Sequence, residues 1–145
     1  MEHKTYSGLI SQLNNNQIFV FGSNTEGRHG KGTAKIAYNR YGAKYRQGHG
    51  LQGKSYGLIT TNLKHNNGYR SVTKTDITEN IRKLYEIANM MKDHEFLIAY
   101  TANGANLNGY SSIEMAEMFT NAGGGSIPTN IVFENNFYDL IVRKL

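Results

Sequence analysis

Four short apolar runs alternate with four stretches of helical periodicity, and this alternation constrains the fold more than any other feature of the chain. The runs include Ile18-Phe19-Val20-Phe21, Tyr56-Gly57-Leu58-Ile59, Phe96-Leu97-Ile98-Ala99 and Ile131-Val132-Phe133. Their length and residue types predict strands over 17–21, 56–60, 96–100 and 130–133. Between them, Ala34, Ala37, Tyr38 and Tyr41 lie three and four apart and predict a helix from about Thr33 to a stop at Gly42. Asp76 with Glu79 has capping-box spacing, and Ile77, Ile81, Leu84, Tyr85, Ala88 and Met91 then mark one face of a helix reaching about Lys92. Ser111 with Glu114 predicts a second box, opening a helix to about Thr120, and Phe137, Leu140, Ile141 and Leu145 predict a closing helix over 136–145. Ahead of the first strand, Leu9, Ile10 and Leu13 suggest a short helix ending at the Asn14-Asn15-Asn16 run. Strands alternating with helices argue a three-layer α/β fold. At 145 residues, with no internal repeat or linker, the chain predicts one domain over 1–145.

The strands end in polar, glycine-punctuated loops. After Phe21 the chain runs Gly22-Ser23-Asn24-Thr25-Glu26-Gly27-Arg28-His29-Gly30-Lys31-Gly32-Thr33 into its helix. In open α/β sheets ligands bind beyond the carboxyl ends of strands, where loop amides and a following helix N-terminus suit anionic groups. Gly27, Gly30 and Gly32 permit close backbone approach, which predicts a phosphate-binding loop. This is neither a Walker A loop, which needs a Gly-Lys-Ser/Thr end, nor a Gly-x-Gly-x-x-Gly dinucleotide fingerprint. A second Gly-rich stretch, 43–55, predicts another long exposed loop, and a third follows Tyr100 through Asn103, Gly104, Ala105, Asn106, Leu107, Asn108, Gly109 and Tyr110.

Within these loops several side chains have two readings. Asn24 can bond a sugar diol or orient water, or it can be a turn residue. His29 can be a base, a phosphate ligand or a loop residue. Glu26 can orient water or substrate, or stay solvated. Lys54 can neutralise phosphate or stay solvated. His3, His65 and His94 are dispersed, so no metal or other cofactor is predicted. The chain has no Cys, which excludes disulfides and cysteine nucleophiles. No long apolar run follows the N-terminal residues, which suggests a cytoplasmic protein without a membrane partner. The net charge of +5 is carried by Lys31, Lys35, Arg40, Lys44, Arg46, Lys54, Lys64, Arg70 and others without a contiguous block. Such a field favours phosphate-bearing ligands or nucleic acid, although no recognisable nucleic-acid module is present.

Together the loops resemble those of the macro domain family, including its ADP-ribose-1''-phosphate-processing branch and its phage and bacterial relatives. Phe19-Val20-Phe21-Gly22-Ser23-Asn24 followed by Gly30-Lys31-Gly32-Thr33-Ala34 is similar to the family's first signature, and 96–110 to its second. The resemblance spans roughly Gln17 to the C-terminus. It implies a three-layer α/β/α fold with a mixed central sheet. It also implies that Gly22, Ser23, Asn24, Gly30, Lys31, Gly32 and Thr33 meet a ligand, with Asn24 at the distal ribose and assisting hydrolysis. The 103–110 loop would close around the diphosphate and distal ribose. Lys54 falls in the segment similar to the one before another family strand. Phe133 would stack on adenine, with Asn135 nearby, and Gln17 stands at the approximate place of the family's adenine-binding Asp. The implied function is hydrolysis of an ADP-ribose derivative, as an ADP-ribose-1''-phosphate phosphatase or an ADP-ribosyl hydrolase, using Asn24 with His29 or Glu26. The alternative is a non-catalytic module that binds ADP-ribose or a related nucleotide. Expected partners are ADP-ribose or its phosphorylated or macromolecule-linked derivatives, with nucleic acid entering only as an ADP-ribosylated substrate.

Overall fold

The computed structural model describes residues 3–100, 102 and 106–144. In chain order the elements are β1 (Thr5–Tyr6), β2 (Gln17–Asn24), α1 (Gly32–Arg40), β3 (Gly50–Gln52), β4 (Ser55–Thr61), a 3-10 turn (Asn66–Gly68), α2 (Lys74–Met90), β5 (Glu95–Ile98), α3 (Ser112–Ala122), β6 (Ile131–Glu134) and α4 (Asn135–Lys144). They form a mixed α/β fold around one six-stranded sheet of order β1-β6-β5-β2-β4-β3. All neighbouring strands pair in parallel except β3, which folds back antiparallel on β4.

Alternation along β2 builds a core on each face of this sheet. Ile18 and Val20 point into the larger core with Leu58, Phe96, Ile98 and Phe133 from the sheet and Ile77, Leu84, Met115, Phe119, Phe137 and Ile141 from α2, α3 and α4. Phe19 and Phe21 point to the opposite face, against Ala34 and Ala37 of α1, Tyr41 and Ala43. Each fully buried Phe or Leu contributes about 1.5–3 kcal/mol relative to exposure. The small α1 face lets that helix lie close to the sheet and fixes where its N-terminus starts.

Three local expectations are corrected. The 7–14 segment is not helical; instead Thr5 and Tyr6 add a parallel edge strand to β6, and Leu9 stays exposed. The N-cap of α2 is Thr73 rather than Asp76: the Asp76 N–H donates to Thr73 Oγ1 at 3.1 Å, so Asp76 sits inside the first turn. The 43–55 stretch is no simple exposed loop, since it contains β3 and buries Gly48 and Gln52.

The box at Ser111 is present. Glu114 N–H donates to Ser111 Oγ at 3.1 Å, and Ser111 N–H donates to Glu114 Oε1 at 3.0 Å. The Lys74 ammonium, the Ser111 amide and the Arg70 guanidinium hold the Glu114 carboxyl down from 4.5 to about 2. A carboxyl depressed by folding stabilises the protein above its unfolded value and loses that contribution as pH falls toward the folded one. Thermal stability should therefore decline between about pH 4.5 and pH 2 by about 1 kcal/mol after screening of these half-exposed partners. Melting curves of Glu114→Gln should lack that component of the acid slope.

Candidate functional site

The chain path creates a crevice before any side chain is considered. β2 and β5 are adjacent and parallel, but β2 leads into α1 on one face and β5 leads toward α3 on the other. Departure to opposite faces parts the two loops, which is the topological switch point where α/β sheets bind ligands. A cleft of about 600 Å³ opens there, within the usual range for small-molecule sites.

Gly22, Ser23 and Asn24 end β2 at the cleft wall, and Arg28, Gly30, Lys31, Gly32, Thr33 and Ala34 continue it. Lys31 is the N-cap of α1 and no side chain caps the first turn. The leading amides of that helix have no intrahelical partners and suit an anion. The Gly22 N–H donates to Thr33 Oγ1 at 3.2 Å and locks the helix start to the strand end. Opposite, Asn106, Leu107 and Asn108 line the same cleft. A Cβ on Gly32 would lie 3.0 Å from Leu107 Cδ1, so the first and third loops touch across the cleft mouth. Arg28 and Lys31 are the charged side chains in the lining; no Asp, Glu or His contributes among the described residues.

Of the three residues expected to be catalytic, one lines the cleft. Asn24 is buried there, but its Oδ1 accepts from the Arg28 N–H and its Nδ2 donates to the Arg28 carbonyl, both at 2.8 Å. This two-point clasp, with Gly27 N–H donating to the Asn24 carbonyl at 3.1 Å, shapes the loop. Asn24→Ala leaves two part-buried backbone groups of Arg28 without their side-chain partner. It should cost about 1–3 kcal/mol in urea unfolding and weaken ligand binding through the loop.

His29 does not reach the cleft, which corrects its expected role as base or phosphate ligand. Its ring is 2% exposed and meets Phe21 edge-on. Nε2 lies 2.8 Å from the Lys44 carbonyl and 3.0 Å from the Gln47 carbonyl. Carbonyls only accept, so Nε2 carries the proton and donates. Glu26 is likewise outside the lining: Oε1 accepts from the Leu63 N–H at 3.0 Å and Oε2 from Thr25 Oγ1 at 2.8 Å. Desolvation raises its carboxyl, but the Leu63, Thr25 and own-backbone hydrogen bonds, with Lys64 nearby, bring it below the usual value.

Other expected ligand residues lie elsewhere. Lys54 precedes β4 at the amino end of the sheet and donates from Nζ to the Asn14 carbonyl. Six strand steps, about 20 Å, separate it from the cleft end. Gln17 is at that same amino end, donating to Glu95 Oε1, and so does not occupy an adenine site in this cleft. Phe133 is fully buried among Phe119, Phe137 and Tyr138 and has no free face for adenine. Asn135 accepts from Thr5 Oγ1 and donates to Ser7 Oγ, tying down the β1 segment. Tyr110 donates to the Val72 carbonyl beneath the Arg70 guanidinium, and Gly109 packs on Tyr69, so both support the loop from behind. Asn103, Gly104 and Ala105 lie outside the described residues.

The structure adds lining residues that the sequence did not single out. Thr60, Thr61, Leu63, Asn67 and Gly68 close one side, from the end of β4 and the 3-10 turn. Tyr100, beyond β5, forms the floor; a Cβ on Gly22 would stand 2.9 Å from its hydroxyl. Burial raises that phenol, partly offset by a hydrogen bond with Thr60. The Asn66-Asn67-Gly68 turn signal was visible, but only its spatial return to β2 makes it part of a site. No helix among the described residues is long and apolar enough to cross a membrane. No protein-family model matches the chain, and a search of curated proteins finds no match.

Proposed function

We propose that the cleft binds ADP-ribose or a phosphorylated or macromolecule-linked derivative, within a macro-domain-like fold. The observation that carries this reading is the meeting of two amide-rich loops over one cleft whose charged lining, among the described residues, is Arg28 and Lys31 alone. The diphosphate sits against the first turn of α1 and the 28–32 backbone, where amide dipoles and two cations favour negative charge. The distal ribose points toward Thr60 and Tyr100, which offer hydroxyl partners, with the Asn108 carboxamide held behind them by the Tyr110 N–H and the Tyr100 hydroxyl. Binding is the primary reading, because Asn24 is engaged by Arg28 and His29 and Glu26 stand outside the lining.

Hydrolysis of the 1''-phosphate or of an ADP-ribosyl bond is a second reading favoured by Ser23. Its Oγ is buried without a hydrogen-bond partner, and Ser23 lines the cleft. That hydroxyl has no open surface, so it can bond a phosphoryl oxygen or orient water only where ligand binding shifts the cleft wall, and rate then comes from positioning and charge stabilisation. Calorimetry with ADP-ribose tests the shared premise, and a saturable one-to-one isotherm is expected. Turnover assays on ADP-ribose-1''-phosphate and on ADP-ribosylated protein and DNA separate the two readings. Binding without turnover leaves the module reading, turnover lost in Ser23→Ala establishes the second, and neither binding nor turnover removes both.

A further inference from the structure

The dispersed cations become one-sided once the acids are counted. Residues 27–75 contain ten Lys and Arg and no Asp or Glu, whereas the rest of the chain holds six Lys and Arg and all eleven acids. Folding brings part of this segment onto a single surface beside the cleft. Lys35 and Tyr38 stand three apart on one face of α1, and Lys31 is its N-cap. The 44–47 turn lies against the 27–29 segment, because Arg46 N–H donates to the Gly27 carbonyl and His29 bonds the Lys44 and Gln47 carbonyls. Arg28, Lys31, Lys35 and Arg46 are exposed, and the ion pairs among the described residues include none of them.

Two tyrosines stand in this field. Tyr38 is 49% and Tyr45 53% exposed, with ring centroids 6.2 Å apart at 72°. Both rings lean on the buried His29 ring, at 6.5 and 6.4 Å. That contact gives His29 a purpose outside the cleft: it is the common support of two exposed aromatic platforms.

We propose that α1 and the 44–47 turn form a docking face for single-stranded nucleic acid. Phosphates meet Arg28, Lys31, Lys35 and Arg46, and unpaired bases stack on Tyr38 and Tyr45. Positive charge alone would serve any polyanion; the paired aromatic faces select a strand whose bases are free to stack. Arg28 and Lys31 belong to both the face and the cleft, so a bound strand passes the cleft mouth. This inference stands apart from the ADP-ribose assignment, since Tyr38 and Tyr45 do not line the cleft.

The test is fluorescence anisotropy of the full chain with a labelled oligothymidylate, the corresponding duplex, and heparin as competitor, across a salt series. The single strand should bind at least fivefold tighter than the duplex, with affinity falling as salt rises. Tyr38→Ala with Tyr45→Ala should weaken single-strand binding at least about fivefold, the low end of base–aromatic stacking. The Phe variants at both positions should retain it, and ADP-ribose affinity should not change, which also reports that the variants are folded. Lys35→Glu should weaken single-strand binding as well. Equal binding of duplex and single strand, indifference to the alanine pair, or no saturable binding at low salt would each overturn the proposal. Oligonucleotide binding without ADP-ribose binding would sink the cleft assignment and leave this one standing.

Discussion

Gly30→Leu is expected to weaken ADP-ribose binding at least tenfold while leaving the melting temperature near that of the unchanged protein. Gly30 lines the cleft, its backbone does not occupy the left-handed region, and a Cβ there would meet nothing within 4 Å. The added side chain therefore takes ligand space without straining the fold. A tenfold loss corresponds to about 1.4 kcal/mol, a modest demand for displacing phosphate from a row of amides. Gly32 makes the instructive contrast. Its φ of +58° and the 3.0 Å approach to Leu107 mean that a side chain there strains the backbone and parts the loops. Gly32→Val should thus lose affinity and stability together. Wild-type affinity in a folded Gly30→Leu protein would take the 28–32 loop out of ligand contact.

The largest loss of stability should come from Gly57→Ala, in the middle of β4. Here the constraint is purely steric: a Cβ would lie 2.0 Å from the Gly48 carbonyl oxygen, and Gly57 has no positive φ. Gly48 in turn allows no Cβ, because one would sit 2.2 Å from the Asn24 carbonyl oxygen. The two glycines let the backbone at Gly48, just before β3, pass close over Gly57 in β4 and the Asn24 carbonyl at the end of β2. Backbone cannot yield as a side-chain tip can, so the cost should be about 3–5 kcal/mol, above the usual ~1–3 for overpacking. Gly50→Ala is the control. It has open space around its Cβ and only a positive φ of +87°, so it should lose about 1 kcal/mol. Urea unfolding of the pair measures the difference, and equal midpoints would show that the crossing is looser than described.

What the sequence disclosed was local, and what it hid depended on distant pairing. Apolar runs and helical periods located β2, β4, β5, β6 and the four helices, because burial writes its period into the chain. β2 runs on to Asn24, beyond the glycine that suggests an end, because β4 pairs alongside it through an irregularity between Ser23 and Asn24. β1 stayed invisible because two residues paired with Phe133 and Glu134 leave no local pattern. The sequence pattern puts the α2 cap three residues late, because Lys74 and Thr75 are exposed and add nothing to the apolar stripe.

The same division holds at the site. The glycine loops are legible in the sequence, and 22–24, 28, 30–34 and 106–108 line one cleft. The polar side chains gave no sign of where they would turn. Asn24 clasps its own loop, His29 faces away beneath two tyrosines, and Lys54 sits at the far end of a parallel strand. Residue type offered several uses for each, and only the hydrogen-bond partners chose among them.

On the proposed reading, these two loops close over a diphosphate at the junction of β2 and β5. Titration of ¹⁵N-labelled protein with ADP-ribose, followed amide by amide, tests it most directly. Saturable shifts should concentrate at Gly22, Gly30, Lys31, Gly32 and Thr33 on one side and at Leu107 and Asn108 on the other. Saturable shifts confined to one loop, shifts centred elsewhere, or an unchanged spectrum at saturating ligand would contradict it.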